Sequence, residues 1–160
     1  MIELIVIITV LGLSIPVLLT MWADVAWRSA RWESLADANF YAQQLMEEIK
    51  SKEFVDPDDA ANTVLGPNGT ESYPNYNDVD DFNGYSDIQD SKYSRCVTVD
   101  YVSLPSNVWV GTCNPAQPVS CTVPVCAPAN ATDFKRIIIR VRRTDSIAQT
   151  VTLTTIVAKH

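Results

Sequence analysis

Apolar residues run almost unbroken from Met1 to Trp22, "MIELIVIITVLGLSIPVLLTMW", and the pattern then changes. As a helix this segment would be about 33 Å long at ~1.5 Å per residue, enough to match a hydrocarbon core of ~30 Å. From Ala23 to Phe54 there is neither Pro nor Gly, and Trp32, Leu35, Ala38, Ala42, Leu45 and Ile49 recur every three or four residues. That spacing draws one apolar stripe and leaves Arg31, Glu33, Asp37, Gln44, Glu48 and Lys52 on other faces. Asp56-Pro57 supplies the stop. The pattern predicts one long helix over residues 1–54, apolar all round in its first half and amphipathic in its second. Such a helix cannot bury itself within a monomer. Its second half needs a head to pack on, and its first half needs lipid or other copies of itself.

The period then changes from that of a helix to that of a strand. Over residues 93–102, Val97, Val99 and Tyr101 alternate with Ser94, Cys96, Thr98 and Asp100. Over 134–143, Ile137, Ile139 and Val141 alternate with Arg136, Arg140 and Arg142, and over 150–158 Val151, Leu153, Thr155 and Val157 repeat the pattern. The short polar link 144–149 reads as a hairpin. These elements predict an α+β fold, with residues 55–160 forming a head whose antiparallel sheet is covered on one face by the amphipathic half of the helix. Residues 55–90, rich in Asn, Asp, Gly, Pro and Tyr, read as loop. Residues 103–133 are a long Pro- and Cys-rich excursion that needs something to tie it down.

Composition sharpens this outline. At 160 residues the chain is of single-domain size, and a net charge of −7 argues against nucleic acid as a partner. The charge is unevenly placed. Residues 55–90 carry nine carboxylates and no Lys or Arg, whereas residues 91–160 carry eight basic and three acidic residues. That asymmetry suits either head-to-tail contact between copies or a solvated acidic loop. Cys96, Cys113, Cys121 and Cys126 are an even set without CxxC spacing, which favours disulfides, with pairing left open, and an oxidising compartment. One histidine, His160, and the lack of any nucleophile, phosphate-loop or zinc-helix motif point away from an enzyme.

Glu3 is the one carboxylate in the apolar run. "MIELIVIITVLG" resembles the start of a mature type IV pilin or type II secretion pseudopilin, in which a Leu/Met-Ile-Glu-Leu tetrad is followed by a glycine nine residues after the glutamate. Glu3 and Gly12 have that spacing. The segments "AQQLMEEIKSKEF", "NDVDDFNGY", "DFKRIIIRVRR" and "TVTLTTIVA" are similar to segments of minor pilins of the mannose-sensitive haemagglutinin and PilV-like groups. The family glutamate stands two positions further from the mature N-terminus, so two residues are expected to precede Met1. The family proline falls about four residues later than Pro16.

The resemblance implies an assembly role for Glu3, Gly12 and Pro16, with Glu3 pairing the N-terminal amine of a neighbouring subunit. It also implies cleavage by a prepilin peptidase, N-methylation, residence in the inner membrane before assembly, contact with a pilus or secretion assembly machinery, and a final place in an extracellular homo-oligomeric filament. Within that class the chain would be a principal subunit or a low-copy minor pilin or pseudopilin. A membrane-anchored monomeric adhesion domain, binding through residues 103–133, is the reading from another class.

Two further sets of residues invite a chemical reading. Asp78, Asp80, Asp81 and Asn83 offer clustered hard oxygen ligands around Gly84, of the kind calcium uses, although Phe82 stands where a ligand would be needed. A hydrogen-bonded turn cluster is the alternative. Asn68 and Asn130 begin Asn-x-Thr tripeptides and are formal glycosylation acceptors. No other cofactor is expected.

Overall fold

The computed structural model describes residues 2–58, 64–68, 71–111, 132–145 and 150–159. Its first element, α1, is a single helix over Ile2–Lys50 that passes through Pro16. Pro16 has no amide hydrogen to give the carbonyl of Gly12 four residues back. The hydroxyls of the apolar run are paired inside the helix: Thr9 Oγ1 donates to the Ile5 carbonyl at 2.7 Å, Ser14 Oγ to Val10 at 2.6 Å and Thr20 Oγ1 to Val17 at 2.8 Å. They therefore cost the apolar surface little.

The helix stops at Lys50, four residues short of the expected end. The reason is tertiary. Beyond the last turn the Glu53 backbone leaves the helix to pair with the segment around Asp78: its N–H donates to the Asn77 carbonyl at 3.4 Å and its own carbonyl accepts from Val79 at 3.0 Å.

The chain divides into two compact units, Met1–Asp37 and Ala38–His160. In the second, five strands form an antiparallel arrangement: β1 (Ser86–Gln89), β2 (Tyr93–Ser103), β3 (Val110–Gly111), β4 (Phe134–Arg143) and β5 (Thr150–Ala158). The sheet order is β1-β2-β4-β5, with β3 paired to the end of β2. The fold is thus α+β, as the periodicity predicts. β1 lies in the stretch read as loop, because Ser-Asp-Ile-Gln carries no strand signature and is extended only by pairing with β2. The turn joining them uses Asp90 and Ser91 at φ 48° and 56°, with Lys92 N–H bonded to the Gln89 carbonyl at 2.9 Å.

One face of the sheet packs against the last part of α1. Ala38, Ala42, Leu45, Met46 and Ile49 meet Val97, Val99, Ile137, Ile139 and Val141, with Val79 and Phe82 closing one side. The stripe read from the sequence begins too early. Trp32 is 72 % exposed, and the packed face starts at Ala38, where the helix enters the second unit.

Two basic residues share this core face, since period 2 places Arg95 in line with Val97 and Lys135 in line with Ile137. Both are buried and both are paired. Arg95 makes a two-pronged contact with Asp87, Nε to Oδ1 at 2.8 Å and Nη2 to Oδ2, directly across the β1–β2 register. Lys135 Nζ pairs with Asp80 Oδ1, donates to the Phe54 carbonyl and lies 4.6 Å from the centre of the Phe54 ring. On the opposite face Arg136 clasps Asp100 across the β2–β4 pair, Nε to Oδ1 at 2.9 Å. Gly111 of β3 lies over this pair, so closely that a Cβ there would run into both side chains.

Breaking a buried pair from one side leaves a charge without compensation. Lys135→Met is expected to lower the unfolding free energy by about 3–5 kcal/mol, and adding Asp80→Asn should recover much of that loss; thermal melting of the two variants in detergent checks both statements. Asp87 gives a pH signature. Burial pushes its pKa up, but the hydrogen bonds from Arg95, Gln89 and Tyr85 together with the Arg95 charge outweigh this and hold it below the ordinary carboxylate value. Its contribution to stability is therefore complete above the unfolded-state pKa of about 4 and is lost as pH falls through the lower folded-state value. Melting temperature plotted against pH should fall more steeply below about pH 4 in the wild type than in Asp87→Asn.

Candidate functional site: an unburied apolar helix and an acidic turn

The first unit presents its chemistry on the outside. Every large apolar side chain from Ile2 to Trp22 is at least half exposed, from 50 % at Ile15 to 79 % at Ile2 and Trp22. The helix is long and apolar enough to cross a membrane. Past this run the surface changes character: Asp24 and Arg28 form an exposed i,i+4 pair at 2.9 Å, and Trp27 and Trp32 stand out among them. Aromatic side chains at the end of an apolar span belong where lipid gives way to water.

Glu3 lies in the first turn of α1, where a carboxylate is favoured by the unpaired amides of the helix end. Apart from its own helix backbone, no described residue of the chain comes within 4 Å of the place a Cβ on Gly12 would occupy. A helical glycine costs about 1 kcal/mol relative to alanine. No contact among the described residues requires that cost.

In the second unit Asp78, Asp80, Asp81 and Asn83 come together around a single 3-10 turn, Asp80–Phe82, and all four are buried. Their side chains serve the local backbone. Asp78 Oδ1 accepts from the Asp81 N–H at 3.0 Å, while Asp81 Oδ2 accepts from Asn77 N–H at 3.0 Å and Asp78 N–H at 3.3 Å. The two acids thus cap each other's segment reciprocally. Asn83 Oδ1 accepts from the Val99 amide at 3.1 Å, fastening the turn to β2, and Asp80 is held by Lys135. Gly84, at φ 84°, lets the chain leave the turn with its N–H on the Val97 carbonyl.

The electrostatic consequences are local. Burial, reinforced by the charge of Asp80, raises the Asp78 carboxyl to a pKa of about 7. Burial and the charges of Asp80 and Asp78 push the Tyr101 hydroxyl up to about 12.

Of the remaining candidate residues, Cys96 is disulfide-bonded on the outer face of β2, and Cys113, Cys121 and Cys126 lie outside the described residues, as does Asn130. The Asn68 side-chain nitrogen donates to Asp56 Oδ2 at 2.8 Å. Asp56, Asp58, Glu71 and Asn77, near Asn68 in the folded head, are not among the ligands read from the sequence, where Asp56 marks the helix stop and the three acids count as members of the acidic stretch.

Comparison of the chain with protein-family models, with curated proteins and with solved structures finds no match. A long N-terminal apolar helix whose last part packs on an antiparallel sheet is nonetheless a pilin-like architecture.

Asn83 offers a test of the turn. Without its side chain the buried Val99 amide loses its acceptor, so Asn83→Ala should cost about 1–3 kcal/mol of stability. The loss is expected equally in chelator and in calcium, as melting curves under the two conditions would record.

Proposed function

We propose that this chain is a non-catalytic structural subunit of a helical filament of the type IV pilus kind. Before assembly Ile2–Trp22 sits in the inner membrane, with the head outside the cytoplasm; afterwards the same segment forms the filament core. The observation that carries this reading is that every large apolar side chain of Ile2–Trp22 is at least half exposed. Exposed contiguous apolar surface on this scale marks a membrane or protein partner. At ~25 cal/mol per Å² of apolar area removed from water, covering it dominates the energetics of the first unit.

Lipid alone satisfies the apolar side chains but gives Glu3 and Gly12 nothing to do. A carboxylate carried into an apolar medium costs several kcal/mol unless it is paired. The N-terminal amine of an adjacent copy is the cation that a staggered helical array would bring to it, and their attraction would set the axial register. Gly12, whose side-chain position meets none of the described residues outside its own helix backbone, allows a neighbouring helix to approach closely. Head placement outside the cytoplasm agrees with the disulfide at Cys96.

A passive anchor and a filament subunit respond differently to the same substitutions. Glu3→Leu and Gly12→Leu are expected to abolish filaments on producing cells while leaving the membrane-inserted chain at wild-type abundance, as electron microscopy and membrane fractionation would measure. Normal filaments from the Glu3→Leu chain would remove the register role, and absence of filaments from the unsubstituted chain in an assembly-competent host would favour the monomeric anchor.

A further inference from the structure

Among the described residues the buried side-chain atoms with no hydrogen-bond partner are Asn77 Oδ1, Asp78 Oδ2 and Asp81 Oδ1. All three are oxygens, and all fall within five consecutive residues. Poor packing would orphan donors and acceptors alike and scatter them. A set of acceptors gathered in one place asks for a positive charge.

The surroundings supply more oxygens of the same kind. Asp56, Asp58 and Glu71 each place a carboxylate oxygen within 4.8 Å of the others. Asp81, 0 % exposed, is tied to this group through Asn77, whose backbone N–H donates to Asp81 Oδ2 at 3.0 Å and whose side-chain amide reaches Asp58 and Glu71. Neutral amides donate to Asp58 and Glu71: Asn77 Nδ2 reaches Asp58 at 3.1 Å and Glu71 at 3.0 Å, and the Asn68 backbone N–H reaches Glu71 at 3.0 Å.

We propose that Asp56, Asp58, Glu71 and Asp81, together with the side-chain oxygen of Asn77, bind a hard divalent cation, calcium. The donor set is oxygen only, which disfavours zinc and copper. Calcium accepts six to eight oxygens in loose geometry, whereas magnesium demands a near-ideal octahedron and keeps much of its water. Carboxylates drawn from three separate stretches of chain suit the former. The ligand set differs from the run Asp78–Asn83: Asp80 belongs to Lys135 and Asn83 to Val99, and only Asp81 is common to both. Bound there, the cation ties the chain leaving α1 at Asp56 and Asp58 to the turn that leads into β1.

The test uses the full chain in detergent, stripped with chelator. Titration calorimetry with calcium chloride should show one site, and calcium at a hundredfold excess over Kd should raise the melting temperature by about 5–10 °C, with a smaller rise in magnesium. Asp58→Asn and Glu71→Gln should each weaken calcium binding at least about tenfold. In chelator both variants should melt at or above the wild-type temperature, because removing one carboxylate relieves repulsion. Asp81 is left intact because its other oxygen holds the turn, and Asp133→Asn, exposed and outside the cluster, should bind as the wild type does. Absence of calcium heat and of any calcium-dependent melting shift in the wild type would overturn the proposal. So would wild-type affinity in both cluster variants, or their collapse in chelator, which would make these acids structural.

Discussion

A helix whose first twenty-odd residues are apolar on every side has no internal means of hiding them. A stripe can be laid on a sheet, and from Ala38 to Ile49 α1 does this. A full apolar circumference cannot be satisfied by one neighbouring face, so the segment from Ile2 to Trp22 must be enclosed by something other than its own chain. That constraint separates the two units. The second has a core, paired strands and buried ion pairs and meets the requirements of a folded domain by itself, while the first is defined by what it lacks.

The head resolves part of the charge asymmetry of the sequence within one molecule. The acidic stretch faces the basic one across the fold: Asp80 receives Lys135, Asp87 receives Arg95, and the Asp90 carboxylate takes a hydrogen bond from the Tyr41 hydroxyl of α1. These contacts clamp the loop that follows the helix onto the sheet from both ends of the core. They also account for why the carboxylates left over gather where they do. Once Asp80 and Asp87 are matched, Asp56, Asp58 and Glu71 remain gathered around the amides of Asn68 and Asn77, and the buried Asn77 and Asp81 oxygens that lack a donor among the described residues are what a cation would use.

The strands at 93–103, 134–143 and 150–158 were legible because alternation with period 2 survives in the sequence when one face is buried. The same rule places Arg95 and Lys135 inward, but a charged residue on a core face reads as an interruption until its partner is known, and the partners lie 8 and 55 residues away. β1 was hidden for a different reason: four residues with no β-branched run owe their extension to pairing and to the Asp87 clasp. In the acidic stretch the sequence could rank residues only by proximity along the chain, which favoured Asp78–Asn83. The fold adds what the sequence does not carry: it brings Asp56, Asp58 and Glu71 together, and among the described residues the buried oxygens without a donor belong to Asn77, Asp78 and Asp81.

The claim on which the account rests is that copies of this chain, and not lipid alone, enclose the apolar helix. Electron cryomicroscopy of surface material from cells producing the chain tests this most directly. The account predicts a helical polymer with Ile2–Trp22 of successive copies packed along its axis and Glu3 of each beside the N-terminus of another. Finding the chain solely as monomers, each with its apolar helix surrounded by lipid, would contradict it.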